Sequence, residues 1–478
     1  MFEIQQQMVE GKITARELVS TYIEHIKKFD GLLKAILVVN PDADKIATEL
    51  DVERKEKGPR SRLHGIPVIV KDSVVTKDKM PTTGGTLALA SFQSSKDAFL
   101  IAKLREAGAI ILAKSNLQEL SFGFATYSTV GGQTLNPYAT ERQPGGSSGG
   151  TAVAITANMG AVGIGEDTAG SIRVPAAHNS LVGIRPTVGL VSRTGVIPIS
   201  PSRDTAGPIT RTVADAAIVL DAIAGYDSLD PMTARCVGKI PESYADFLNK
   251  EGLREAKIGV ARALFGTETD EAIAVNGVIE KAIKAMNALG ISIVDPVEVP
   301  YLDEINDREK YAFEGHVEWK PAFNEFLKWA GPDAPLKSFK ELAESDKVRT
   351  HVVRILGNAL EAADPEDDIE YLRAIAIAQR KAELGVLQAI AENNLDALIY
   401  PAVQEPPAKI GEVQGGTITT GLGARARFPS ITVPAGFTDD GLPVGIEFLA
   451  RAFEEPRLIE LAYAFEQGTQ YRRPPNLP

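Results

Sequence analysis

The sequence predicts an α/β protein: one large domain with a mainly helical insertion. Three observations carry this reading. Helix-like and strand-like segments alternate from the N-terminus to about residue 225, which argues for a layered α/β core. From about 270 to 395 long helical segments dominate. Strand signals return after residue 395, where they can complete a sheet begun before residue 115. No repeat, low-complexity tract or Pro/Gly-rich linker divides the chain, so a single domain over 1–478 is the economical reading. Within it the expected parts are a core at 61–225, a mainly helical insertion at about 230–395, and sheet-completing strands with a final helix at 395–478.

The elements follow in order. Residues 13–30, ITARELVSTYIEHIKKFD, place apolar side chains at helical spacing, with Thr14 as N-cap. LHGIPVIVKD reads as a short apolar strand from Ile66 to Val70, ending at Lys71. Residues 98–107 read as a helix, and AIILA at 109–113 as a buried strand. Residues 149–159 read as a helix stopped by Gly160, residues 161–165 as a strand, and IRVPAAH as a short helix. TVADAAIVLDAIA at 212–224 is another helix. In the insertion, AIAVNGVIEKAIKAMNAL and EYLRAIAIAQRKAELGVLQAIAEN are long helices. There Tyr311, Phe313, Trp319, Phe323, Phe326 and Trp329 interleave with charges. LDALIYPA (395–402), SITVPAG (430–436) and LPVGIEFLA (442–450) read as strands, and RLIELAYAFEQGT as the closing helix.

Composition narrows the function. The chain has 478 residues, 44% hydrophobic and 24% charged, ordinary for a globular protein. A formal charge of −12 and the lack of any Lys/Arg-rich run argue against nucleic-acid or anionic-membrane binding as the main task. Cys236 is the single cysteine, so no intrachain disulfide forms, and a cytoplasmic location is expected. MFEIQQQMVEGK lacks the basic start and apolar stretch of a signal peptide. No window reaches the length of a transmembrane span.

Two serine-bearing glycine clusters raise the functional question: GGSSGG at 145–150 and DTAGS at 167–171. They can be two structural turns. They can be a phosphate cradle, but no Gly-Lys-Ser/Thr ending and no G-x-G-x-x-G occurs. Gly145 to Gly149 satisfies G-x-S-x-G, yet the polar NPYATERQP precedes it where a nucleophile elbow needs a strand. In the fourth reading both serines form one site. Eleven helical residues rise about 16 Å, and five strand residues return about 16 Å. An antiparallel return would bring Ser147 and Ser171 face to face.

Ser171 is the better-placed nucleophile. The loop Thr168, Ala169, Gly170 can aim backbone N–H groups into one concavity, and a helix starts just after it. Such donors stabilise developing negative charge. A serine also needs a base. The histidines are His25, His64, His178, His316 and His351. His178 is read as a packing or hydrogen-bonding residue on the helix after Ser171. Lys71 ends an apolar strand, where desolvation lowers a lysine pKa and makes a neutral amine available. The competing reading is a surface lysine paired with Asp72.

These residues resemble the amidase signature family. The resemblance rests on GGSSGG, a run of small and apolar residues, and a D-x-x-G-S-I-R-x-P box at 167–175. GIPVIVKD, AKSNLQELSFG, LNPY, the stretch GIRPTVGLVSRTGVIPISPSRDTAGPITRTVADAA and SITVPAGFTDDGLPVGIEFLA extend it over nearly the whole chain. Only about 230 to 390 is not diagnostic. The resemblance implies a mixed central sheet covered by helices on both faces. It implies Ser171 as the acylated nucleophile, Ser147 as a bridging serine preceded by a cis peptide, and Lys71 as the base. It further implies backbone amides of Thr168, Ala169, Gly170 and Ser171 as an oxyanion hole, with Ser148, Asp167 and Arg173 supporting. Ala169 departs from the glycine of many members, which matters only if its φ is positive.

The implied reaction is hydrolysis of a carboxamide to a carboxylate and ammonia or an amine, with no metal or organic cofactor. The features read closest to stand-alone amidases of the peptide-amidase kind. The alternatives are the glutamine-hydrolysing subunit of a tRNA-dependent amidotransferase, and a carbamate or ester hydrolase. GGTITTGLGARARF holds no acidic residue to grip a glutamine α-amino group. The expected partner is a small-molecule amide, with neither nucleic acid nor membrane; a homodimer is the one assembly left open. Thr83 and Gly84, in MPTTGGT, are expected to border the substrate. The insertion aromatics are read mainly as core, with a roof over the acyl pocket as the alternative.

Overall fold

Apolar runs bounded by Gly, Pro and Asp form the strands, and a single sheet collects them. The computed structural model describes residues 1–307 and 314–477. In chain order the strands are β1 (Ile36–Val39), β2 (Pro67–Lys71), β3 (Ile110–Ser115), a small hairpin of β4 (Tyr127–Ser128) and β5 (Gly132–Gln133), β6 (Val162–Asp167), β7 (Val182–Arg185), β8 (Thr205–Thr210), β9 (Lys257–Val260), β10 (Ser292–Val294), β11 (Ala397–Pro401), β12 (Ser430–Phe437) and β13 (Pro443–Leu449). All but the hairpin form an 11-stranded sheet in the order β1-β3-β2-β6-β8-β7-β12-β13-β11-β9-β10.

The sheet is mixed. β2 runs parallel to both β3 and β6, whereas β6 runs antiparallel to β8. Every residue of β2, β3 and β6 is buried. Parallel strands covered on both faces read as continuous apolar runs, and VIV and IILA do. The charged ends of β2 and β6 thus leave the sheet side by side, at its switch from parallel to antiparallel pairing.

The N-terminal helix, Ala15–Leu33, starts at Thr14 with a capping box formed with Glu17. The helix after the first serine cluster is shorter than expected, Gly149–Thr156. Ala157 ends it and Asn158 turns left-handed at φ 57°, so asparagine, not Gly160, breaks it. The strand that follows runs on to Asp167. The stretch read as mainly helical also contributes β9 and β10 to the sheet.

Trp319, Phe323 and Phe326 are buried with Phe92 and Phe339 in a second core beneath the loops. Trp319 lies 4.3 Å, centroid to centroid, from Phe122. Trp329 is partly buried against the same cluster. Tyr311 and Phe313 lie outside the described residues. Among the described residues no helix is long and apolar enough to cross a membrane.

The last helix, Glu455–Thr469, docks on Val213–Ile223 and carries a pH-dependent weakness. Glu466 accepts the Val213 N–H at 2.9 Å. Burial pushes its carboxyl up to about 7. Between the ordinary glutamate range and pH 7 the folded state holds a proton that the unfolded state has lost. Stability therefore falls as pH rises through this window, by on the order of 3 kcal/mol in full. Glu466→Gln is expected to remove that part of the alkaline decline, read from denaturation midpoints at acidic and alkaline pH.

Candidate active site

Lys71 closes β2, and its side chain is fully buried. Its Nζ lies 2.6 Å from Ser147 Oγ, 2.8 Å from Glu166 Oε2 and 3.2 Å from the Glu166 carbonyl oxygen. Burial pushes the Lys71 ammonium down, against the pull of Glu166, Asp167 and Asp204. Ser147 follows a cis peptide from Gly146. A Cβ at Gly146 would stand 2.8 Å from Phe124 Cα, and one at Gly150 would collide with the Asn116 backbone. These glycines let the loop press against its neighbours.

The second cluster lies against the first. Ser148 N–H donates to the Ser171 carbonyl at 3.2 Å. Ser148 Oγ donates to the Glu166 carbonyl at 3.2 Å. Ser171 is only 6% exposed, and its hydroxyl makes no hydrogen bond among the described residues. Gly170 has φ 119°, and a Cβ there would stand 2.7 Å from Thr420 Cγ2. Ala169 is not among the positive-φ residues, so alanine carries no backbone penalty. Gly170 N–H donates to Asp167 Oδ1 at 2.7 Å. Of the four amides expected to form the oxyanion hole, that of Gly170 is therefore already engaged. Those of Thr168, Ala169 and Ser171 donate to nothing among the described residues.

A buried charge network shapes this loop. Asp167 Oδ2 accepts Ile172 N–H at 3.0 Å and pairs with Arg173 at 3.2 Å. Arg185 reaches Asp167 Oδ1 at 2.9 Å. Arg173 also donates to Glu447 and to the Thr420 carbonyl, each at 2.9 Å. Burial pushes the Asp167 carboxyl up, but Arg173 and Arg185 outweigh it and hold it well below the usual carboxylate range. Two carboxylates and two guanidiniums thus balance in a dry interior. Removing one partner of such a set typically costs 3–5 kcal/mol. Arg173→Met is therefore expected to lower stability by about 3–5 kcal/mol in a denaturant titration. Arg173→Lys should restore little, because the guanidinium reaches Asp167, Glu447 and the Thr420 carbonyl through three separate nitrogens, a spread that donors on a single ammonium nitrogen do not span.

A family model described as Amidase matches residues 17–459. The chain belongs to the amidase family. A probable amidase of Arabidopsis thaliana is 36% identical over 486 residues, spanning 98% of this chain and 89% of the relative. A glutamyl-tRNA(Gln) amidotransferase subunit of Thermoanaerobacter pseudethanolicus is 32% identical, spanning 99% of this chain and 97% of its own. Among solved structures, native peptide amidase from Stenotrophomonas maltophilia matches with a TM-score of 0.89 at 38% identity, covering 99% of this chain and 97% of that one. The amidase-family fold, a mixed sheet with covering helices, is the one the motifs implied.

Other expected site residues of this amidase take different parts. Asp72 does not pair with Lys71; it pairs with Lys114 at 3.2 Å. Thr83 donates to Asp72 Oδ2 through both its hydroxyl and its N–H, and Gly84 N–H donates to the Asp72 carbonyl at 3.0 Å. Thr83 and Gly84 thus brace the end of the lysine strand, and these donors are not free for a substrate. His178 is buried, with Nε2 3.3 Å from the Glu405 carbonyl, and burial pushes it down to about 4. It is a neutral packing residue. A cavity of about 600 Å³ opens beside the site, lined by Thr194, Pro198, Asp204, Phe326 and Trp329 among others. Asp204 joins it to the serine loop by accepting from Thr168 Oγ1 at 2.6 Å.

Sequence reasoning missed Glu166, Arg185 and Asp204. For Glu166 a signal existed. Two strands each reach charge at their C-terminal end, Lys71 on one and the Glu166-Asp167 pair on the other, and opposite charges leaving a sheet together are expected to meet.

Proposed function

We propose that the chain hydrolyses a linear carboxamide through an acyl-enzyme on Ser171, with Ser147 as relay and Lys71 as base. The observation that carries this is the fully buried lysine Nζ 2.6 Å from Ser147 Oγ, in a chain of the amidase family. Ser171 Oγ attacks the carbonyl carbon as its proton passes to Ser147 and the Ser147 proton passes to Lys71. The same proton returns through Ser147 to the leaving nitrogen, and the C–N bond breaks. Water then repeats the sequence on the ester. Three N–H groups, those of Thr168, Ala169 and Ser171, would receive the oxyanion. The link from Ser171 Oγ to Ser147 closes in the substrate complex, where catalytic hydrogen bonds commonly tighten.

The peptide-amidase likeness favours a stand-alone enzyme acting on C-terminal or non-peptide amides. A panel of primary amides, anilides, peptide amides and glutamine tests this. We expect turnover of peptide or primary amides without added protein. Glutamine turnover that rises sharply with partner proteins would instead support the amidotransferase reading, which the 32% identical amidotransferase relative keeps in view.

A further inference from the structure

Thr168 Oγ1 lies between two carboxyl groups, 3.1 Å from Glu166 Oε1 and 2.6 Å from Asp204 Oδ1. A hydroxyl has one proton to donate. The shorter contact takes it. Asp204 Oδ2 meanwhile accepts the N–H groups of Ile199 and Ser200, each at 2.9 Å, so both of its oxygens act as acceptors. The Thr168 oxygen then turns its lone pairs toward Glu166 Oε1. Two lone pairs facing each other in a buried site repel; a proton on Oε1 makes the contact a hydrogen bond.

The other end of Glu166 agrees. Its Oε2 accepts from Ser121 Oγ at 3.1 Å and from Lys71 Nζ at 2.8 Å. Lys71 has three polar neighbours, two of them on Glu166. A neutral amine donates to those two and keeps its lone pair for the Ser147 O–H. Every group is then satisfied, with none left over.

We propose that Glu166 holds the proton that Lys71 gives up, so that the resting site contains a neutral amine ready to accept from Ser147. This rests on the reading of Lys71 as base and adds a positioning residue to it. The transfer moves one proton from Nζ to the Glu166 carboxyl. The pair stays at zero net charge, and no outside acid or base takes part. The charged groups acting on the pair are Asp167 and Asp204. Asp167 is balanced by Arg173 and Arg185, and nearby Asp72 is paired with Lys114. Burial pushes Lys71 down and Glu166 up, which favours the same arrangement.

The test is the pH profile of kcat/KM for the wild type and Glu166→Gln. Glutamine is neutral, like the protonated carboxyl, and its amide can donate where the Oε1 proton did. The variant should turn over more slowly, with its acid limb within about half a pH unit of the wild type. If Glu166 is a carboxylate, the variant loses a negative charge beside Nζ. The limb would then move down by more than about one unit, which overturns the proposal. A second readout needs no Glu166 variant. The side-chain nitrogen NMR signal of Lys71, assigned by its loss in Lys71→Ala, should report a neutral amine at neutral pH; an ammonium signal contradicts the proposal. Full activity in Lys71→Ala would instead overturn the base assignment itself.

Discussion

Ser171→Ala is expected to lower kcat by roughly 10⁴–10⁶ while the protein stays folded. On the proposed mechanism the Ser171 hydroxyl carries the acyl chain. Ser147 is held against Lys71 and sits one step back from the carbonyl. The loop amides remain in the variant, so substrate still binds and a small residual rate over water persists. Stability should change little, because the Ser171 hydroxyl makes no hydrogen bond among the described residues. Its backbone carbonyl, which accepts Ser148 N–H, survives the substitution. Circular dichroism and a denaturation midpoint check the fold, and single-turnover kinetics check the chemistry. A variant that keeps a few per cent of activity would remove Ser171 from the nucleophile's place.

Lys71→Ala is expected to cost on the order of 10³–10⁴ in kcat at neutral pH. Loss of the amine leaves Ser147 with no acceptor for its proton. Activity should return in part at high pH, where hydroxide replaces the base, or with a small added amine that fits the vacated space. The structural cost is separate. Removing the side chain leaves a cavity at the end of β2, an interior strand of the sheet, and deprives Glu166 of its partner. Glu166 can answer by keeping a proton, so the loss is expected below the 3–5 kcal/mol of a broken ion pair. Lys71→Met keeps the volume and isolates the chemical effect. A near-normal rate in Lys71→Met at neutral pH would require another base. His178, the histidine nearest in sequence to Ser171, is neutral and turned to the Glu405 carbonyl.

Much of this was legible in the sequence, and the reasons are specific. β2, β3, β11, β12 and β13 are apolar runs with sharp polar boundaries, and burial on both faces keeps them so. β7 and β8 were not legible. VGIR ends in an arginine, and TAGPIT holds a glycine and a proline. Neither shows a strand period, and their pairing is fixed by neighbours distant in the chain. β9 and β10 are short strands flanking a long helix whose periodicity masks them. In the site, Lys71, Ser147 and Ser171 stand out as candidates because glycine loops and a stranded lysine are local signals, and the fold sets Lys71 2.6 Å from Ser147. Arg185 and Asp204 were not found, because their meaning lies wholly in partners far along the chain. Gly170 was assigned a donor's part from its position in the loop; the Asp167 side chain, curling back on its own loop, takes that N–H.

The central claim is a serine nucleophile at 171 activated through Ser147 by a buried lysine. Fluorophosphonate labelling, read by peptide mass, tests it most directly. One probe should attach at Ser171, be absent from Ser171→Ala, and form far more slowly in Lys71→Ala. Labelling at Ser147 or elsewhere, or no labelling of the folded protein, would contradict it.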